Sequence, residues 1–134
     1  MEEDYREFRE KWERGTRDRE CAIQLLYLAW MHWADPPFVT GMSDDPDALE
    51  LWHQIYQWFG GEGSTDPEFL HVAGMMAHIF PWVLGPEDEW AATAKRLKSR
   101  SFELQPNGFT AEMFDGRGDY GRYFAHQARF RASN

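Results

Sequence analysis

The amino-acid sequence predicts a single all-α domain over residues 1–134, with five to six helices packed as antiparallel helical hairpins. Two runs without charged side chains, residues 21–34 and 69–84, are apolar on nearly every side, which is typical of buried helices. An aspartate followed by proline precedes two helical segments, at Asp45-Pro46 and Asp66-Pro67, and this pair is a strong signal for a helix start. These observations together predict helices arranged around a large apolar core.

The composition fits one domain of this kind. The 134 residues are 43% hydrophobic and 16% aromatic, which is enough for a sizeable core. Cys21, the one cysteine, excludes an internal disulfide bond and is expected to pack in a buried run rather than act as a nucleophile. No uncharged run free of proline is long enough to cross a membrane, and the charged start does not resemble a signal peptide. We therefore expect a cytoplasmic protein that does not bind membranes.

Two helices are predicted at the start of the chain. The first, residues 2–14, is charged and has one narrow apolar stripe, formed by Tyr5, Phe8 and Trp12. Gly15 ends this helix, and the second helix, residues 17–34, is predicted to be buried on most sides. Pro36 and Pro37 stop the second helix, because proline donates no backbone hydrogen bond and disfavours a helical residue before it.

The middle of the chain predicts two more helices. The segment from Pro46 to Phe59 has a wide apolar surface, and residues 60–65 form a glycine-rich turn to a central helix that begins at Asp66. Pro81 should end or kink that central helix. Its expected neighbour is helix 17–34, which would approach the small residues Ala73, Gly74 and Ala77.

The last third of the chain begins with a helix whose acids precede its bases, as the helix dipole favours. After it, Asn107-Gly108 is a strong turn signal, so residues 101–114 form either a small β-hairpin or a short helix capped at Thr110. Residues 119–131 are basic, and we expect them to form a helix that docks on the acidic middle of the chain. The tripeptide Arg117-Gly118-Asp119 is interpreted as a turn and not as an adhesion motif.

Residues 66–108 carry a pattern of small and apolar positions at Gly74, Ala94, Leu104 and Pro106. This pattern resembles the small position of the first helix, the second helix and the closing turn of a tetratricopeptide-type helical repeat. Lys98 and Ser101 stand where that family has an aromatic residue and an alanine. The resemblance implies a scaffold that binds proteins.

Negative charge is concentrated in the middle of a chain whose net charge is −9. Residues 20–94 contain twelve Asp and Glu side chains and no Lys or Arg. Nucleic acid is not expected as a ligand of this region, because phosphate contacts need basic side chains. A basic protein partner is expected instead, and its predicted binding residues lie in loops and at helix starts: Asp35, Asp44, Asp45, Asp47, Glu62, Asp66 and Glu68.

Two Glu-x-x-His sequences place a carboxylate and an imidazole on one helix face, as in di-iron helical bundles. With a further histidine on the central helix, the candidate metal ligands are Glu50, His53, Glu68, His71 and His78. Three imidazoles, with His32 included, could also hold zinc. The bundle pattern needs further inward glutamates that helix 17–34 lacks, so no metal and no cofactor is predicted. The histidines are interpreted as hydrogen-bonded groups within an aromatic core.

Three classes of function remain open. The first is a non-enzymatic helical interaction module whose acidic face binds a basic protein. The second is an acidic inhibitor or immunity-type protein that mimics nucleic acid or occupies a basic site of its target. The third is a metal-dependent helical-bundle enzyme. The sequence has no phosphate-binding loop, nucleophile elbow or Cys-x-x-Cys motif that would favour an enzyme, so the first class is preferred.

Overall fold

The computed structural model describes residues 2–34 and 45–132, and every regular element in these two ranges is helical. The prediction of an all-α fold is therefore confirmed. The described residues form seven α-helices: α1 (Glu2–Glu13), α2 (Arg19–Ala34), α3 (Ala48–Trp58), α4 (Pro67–Ile79), α5 (Pro81–Leu84), α6 (Glu87–Leu104) and α7 (Gly118–Ala132). Two short 3-10 helices, Gly61–Gly63 and Ala111–Phe114, lie in the connections.

The predicted helix starts form in two different ways. At α4 the Asp66 side chain accepts a hydrogen bond from the Phe69 backbone N–H at 3.2 Å, and Pro67 is the first helical residue, as predicted. At α3 the helix begins only at Ala48, because Asp45 forms a turn in which its side chain accepts the Asp47 N–H at 2.9 Å. The aspartate-proline pair therefore marks the entry to α3 without capping it.

The two uncharged runs form the centre of the core. Most residues of α2 and of α4 with described burial are buried, and their side chains join one apolar cluster with residues from α1, α3, α6 and α7. Large aromatic side chains fill this cluster, among them Trp30 of α2 and Trp52 of α3. The prediction that these runs are buried helices is confirmed.

The helix that approaches the small residues of α4 is α6 and not α2. A Cβ atom added at Gly74 would lie 3.0 Å from Lys98 Cγ and 3.4 Å from Leu97 Cβ. Helix α4 makes its most extensive contact with α6, whereas α2 contacts α3 most extensively. The predicted neighbour of this face was wrong, because a small-residue face specifies a close approach and not the partner.

Pro81 separates α4 from α5, as predicted. Phe80 leaves the helical region, with φ −134° and ψ 69°, and Pro81 then begins the short helix α5. Among the described residues, no helix is long and apolar enough to cross a membrane.

Residues 101–114 contain no β-hairpin. Helix α6 continues through Leu104, so the residues that would form a first strand are helical. The predicted turn does form, with the Gly108 N–H donating to the Gln105 carbonyl oxygen at 3.0 Å. Thr110 then precedes a 3-10 helix, which corresponds to the alternative of a short helix starting there.

Candidate functional site

Arginines from the ends of the chain and from α6 pair with the acids of its middle. Arg19 Nε lies 2.7 Å from Asp66 Oδ2, and Arg96 Nε lies 2.7 Å from Glu62 Oε1. Both carboxylates were predicted to bind a partner. Because each already has a guanidinium partner within the chain, neither presents an uncompensated charge.

Arg117 forms the most extensive of these ion pairs. Its Nη2 atom lies 2.6 Å from Glu20 Oε1 and 2.7 Å from Glu68 Oε2. The Tyr120 hydroxyl also donates to Glu68, at 2.5 Å. The hydrogen bonds to Glu20 and then to Glu68 raise the pKa of the Arg117 guanidinium, and the same contact with Arg117 lowers the pKa of the Glu20 carboxyl. We call Glu20, Glu68, Arg117 and Tyr120 the Arg117 network.

The Arg117 network also accounts for the Arg-Gly-Asp tripeptide. The Arg117 side chain is 18% exposed and faces the carboxylates, while Asp119 pairs with Arg122 of the next helical turn. Helix α7 begins at Gly118, so the tripeptide is the entry to a helix. Its arginine serves to attach α7 to α2 and α4.

Asp45 is likewise used within the chain. Its carboxylate accepts the Tyr5 hydroxyl and pairs with Arg9, and its side chain is 14% exposed. Burial raises the pKa of Tyr5 to about 12, so this hydroxyl stays protonated and can donate. Asp45 thereby attaches α1 to the start of α3.

Asp47 is the predicted binding residue that the structure leaves most exposed. Its side chain is 70% exposed, and the nearest cation is Arg9 Nη2 at 3.9 Å. Asp47 is also the N-cap residue of α3, but its side chain makes no capping hydrogen bond. The other two predicted acids, Asp35 and Asp44, lie outside the described residues.

A groove between α1 and α3 begins at Asp47. It encloses about 260 Å³ and is lined by Arg9, Trp12, Glu13, Asp47, Glu50, Leu51 and Gln54. We call this feature the acidic groove, because three carboxylates line it and one guanidinium opposes them. The Glu13 side chain is 60% exposed, although it also accepts a hydrogen bond from Arg9 Nε at 2.9 Å.

Helical periodicity explains why these residues share a face. On α3, Asp47, Glu50, Gln54 and Trp58 follow one another at intervals of three or four residues, so they lie along one stripe. Trp58 at the end of this stripe is 41% exposed and contacts Trp12 of α1 edge to face, with ring centroids 5.9 Å apart. The acidic groove therefore has aromatic surface beside its carboxylates.

The candidate metal ligands serve other contacts or lie apart. His53 Nε2 lies 2.8 Å from the Leu84 carbonyl oxygen, and Glu68 belongs to the Arg117 network. The His71 ring stacks on Phe109 with ring centroids 4.6 Å apart, and His78 is an exposed residue of α4. Within residues 2–34 and 45–132, no group of three or more His, Cys, Asp or Glu side chains is arranged so that it could hold a metal ion.

The three histidines considered for zinc are also separated. His32 packs against Tyr5 of α1, with ring centroids 4.2 Å apart, whereas His71 packs against the connection after α6. The ring contacts of His32 and His71 agree with the interpretation of histidines within an aromatic core, whereas that interpretation was wrong for His78, which is exposed.

Sequence reasoning missed the contribution of α1 to the groove. It assigned Trp12 to an inward stripe and left Glu13 as one more acid of a charged helix. The relevant signal is the adjacency of these two residues at the end of α1, which places a carboxylate at the edge of a buried aromatic side chain.

Comparison of the chain with protein-family models, with curated proteins and with solved structures found no match.

Proposed function

We propose that the chain is a non-enzymatic helical interaction module and that its acidic groove binds a basic segment of a partner protein. The observation that carries this proposal is the convergence of the Glu13, Asp47 and Glu50 carboxylates around one cavity. A lysine or arginine side chain of the partner would pair with these carboxylates. The Asp47 side chain is 70% exposed and that of Glu13 is 60% exposed, so both carboxylates can be reached from solvent, although Glu13 also pairs with Arg9.

The apolar walls of the groove suit the stem of such a side chain. Long basic side chains bury their methylene groups on apolar surface while the charged end stays hydrated. Leu51 and Trp12 line the groove, but both are buried, so their edges supply only a narrow strip of such surface. The exposed ring of Trp58 offers a second basic residue a cation–π contact. A segment with two neighbouring basic residues therefore fits the groove better than a single lysine does.

The proposal also includes a tetratricopeptide-like scaffold and a location in the cytoplasm. The close approach of α4 and α6 at Gly74 supports the resemblance of residues 66–108 to a tetratricopeptide-type repeat, in which a small residue lets two helices pack as an antiparallel hairpin. We also propose, on the basis of the sequence, that the chain acts in the cytoplasm and binds a protein and not nucleic acid.

The test uses a fluorescein-labelled peptide with an Arg-Lys pair flanked by alanines, and fluorescence anisotropy measures its dissociation constant. Replacing both Asp47 and Glu50 by lysine should weaken binding by about tenfold or more, because it reverses the charge that attracts the peptide. The matched control replaces Glu87 and Asp88 by lysine, two exposed acids at the start of α6 that make the same change in net charge. That control should change the dissociation constant by less than about threefold.

Asp45 is left unchanged in this design, because it attaches α1 to α3. Equal weakening by both double variants would show that the peptide responds to net charge alone and would refute binding in the groove. Added salt should weaken the wild-type complex, since exposed charges are screened over about 8 Å at physiological ionic strength.

A further inference from the structure

A second cavity lies where α4, α6, α7 and the turn after α6 meet. Its volume is about 360 Å³, within the range of roughly 300–1,000 Å³ that small-molecule sites occupy. The residues that define its chemistry are His71, Lys98, Ser101, Phe102, Asn107 and Phe109. None of them lines the acidic groove, so the two features are separate.

Two aromatic surfaces give this cavity an apolar interior. The His71 ring stacks nearly parallel on Phe109, with an angle of 23° between the planes, and this pair forms a flat wall. Phe102 also lines the cavity, although 64% of this residue is exposed. A flat apolar ligand would cover ring surface that now faces water, and the removal of apolar surface from water favours binding.

This cavity contains a basic side chain, although the chain as a whole is acidic. Lys98 lines it, and no Asp or Glu stands among its described lining residues, although the chain has a net charge of −9. The stem of Lys98 crosses the α4 backbone at Gly74, where an added Cβ would come within 3.0 Å of Lys98 Cγ. The absence of a side chain at Gly74 therefore leaves room for Lys98 to lie along this wall.

Polar groups also stand beside the lysine. Ser101 is buried, and its hydroxyl donates to the Pro67 carbonyl oxygen at 2.8 Å, which leaves the hydroxyl oxygen as an acceptor. The Asn107 side-chain amide offers donors at the exposed end of the cavity. One ammonium group with an amide donor nearby is a suitable environment for a single anionic group.

We propose that this cavity binds a small organic anion with a flat apolar body. The anionic group, a carboxylate or sulfonate, pairs with Lys98, and the body lies between Phe102 and the wall formed by His71 and Phe109. Lys98 and Ser101 are the two residues that depart from the tetratricopeptide-type pattern, and both line this cavity.

The test compares two fluorescent probes that share an aromatic body. Anilinonaphthalene sulfonate carries a negative charge, and phenylnaphthylamine is neutral. Lys98→Met keeps an apolar stem and removes the charge, so the affinity for the sulfonate should fall about tenfold while the affinity for the neutral probe stays within about twofold. Lys95→Met, at an exposed position of the same helix, is the matched control and should change neither affinity.

Phe102→Ala should weaken both probes to a similar degree, because it removes a wall that contacts the shared body. Equal affinity of the wild type for both probes, or an unchanged affinity for the sulfonate in Lys98→Met, would overturn the proposal. Near-ultraviolet circular dichroism must match the wild type, since partly folded chains also bind the sulfonate.

A measurement on the wild-type chain avoids any dependence on how the variants fold. Acetic anhydride acetylates accessible lysines, and mass spectrometry reports the extent at Lys98 with Lys95 as the internal reference. The sulfonate probe should slow acetylation of Lys98 at least threefold relative to Lys95. The degree of protection should increase with the fraction of sites that the probe occupies. If saturating probe leaves the ratio of the Lys98 and Lys95 acetylation rates unchanged, the probe binds elsewhere and the proposed site is refuted.

Discussion

Replacing Arg117 by methionine removes the cation of the Arg117 network while keeping an unbranched side chain of similar length. In the wild type, Arg117 donates to both oxygens of Glu20 and to both oxygens of Glu68. The substitution leaves Glu68 with the Tyr120 hydroxyl and with Arg19 Nη2 at 3.6 Å. The carboxylate of Glu68 then loses its strongest partner in a site that water reaches poorly.

The size of the effect follows from the exposure of the two carboxylates. Glu68 is 16% exposed, and losing hydrogen bonds to a charged group at such a site costs about 1.5–3 kcal/mol. Glu20 is 41% exposed, so its pair with Arg117 resembles a surface ion pair, which contributes about 0–1 kcal/mol. We expect the free energy of unfolding of Arg117→Met to be about 1.5–4 kcal/mol lower, out of the roughly 5–15 kcal/mol typical of a domain.

Urea unfolding at pH 7, followed by the fluorescence of the seven tryptophans, measures this difference. Arg129→Met is the matched control, because Arg129 lies on the same helix and pairs with Asp115, and the two side chains are 62% and 58% exposed. That control should lower the free energy of unfolding by less than about 0.5 kcal/mol. Two variants that agree within this margin would show that the Arg117 network stabilises the fold no more than an exposed ion pair does.

Two further predictions concern buried tyrosines and a glycine. Burial raises the pKa of Tyr5 and of Tyr56 from 10.0 to about 12, so their contribution to stability is intact below pH 10.0 and is lost as pH rises through about 12. In an absorbance titration, these tyrosines should ionise at higher pH in the folded chain than in the urea-unfolded chain. Coincident titration curves would contradict the raised pKa values. Gly121→Ala should lower the free energy of unfolding by about 3 kcal/mol, because a Cβ there overlaps the Phe114 carbonyl oxygen. Gly63→Ala, whose added Cβ meets no atom within 4 Å, should change the free energy of unfolding by less than about 1 kcal/mol, and the same urea unfolding assay measures both variants.

The helices were predictable where their signals are local. Asp66 and Pro67 start α4 through contacts within one turn, and Pro81 ends it because proline lacks a backbone donor. The expected β-hairpin failed for a related reason. Asn107-Gly108 specifies a turn, but it does not specify whether the residues before that turn are a strand or the end of α6.

The packing of helices and the pairing of charges could not be predicted in the same way. Arg19 and Asp66 are 47 residues apart in the sequence, and Arg117 and Glu68 are 49 residues apart. Charge patterning indicated only that basic ends and an acidic middle attract each other. It could not indicate which carboxylates would be used internally and which, like Asp47, would remain exposed.

The Arg117 network has a consequence for the order of events during synthesis. Arg117 follows Glu20 by 97 residues and Glu68 by 49 residues, so both carboxylates are synthesised before the guanidinium that joins them. Until then the growing chain holds Glu20 and Glu68 without their main counterion, and the aromatic side of α7, with Tyr120 and Phe124, is missing from the core. Attachment of α7 is therefore the step that completes both the charge balance and the apolar core, and it is necessarily late.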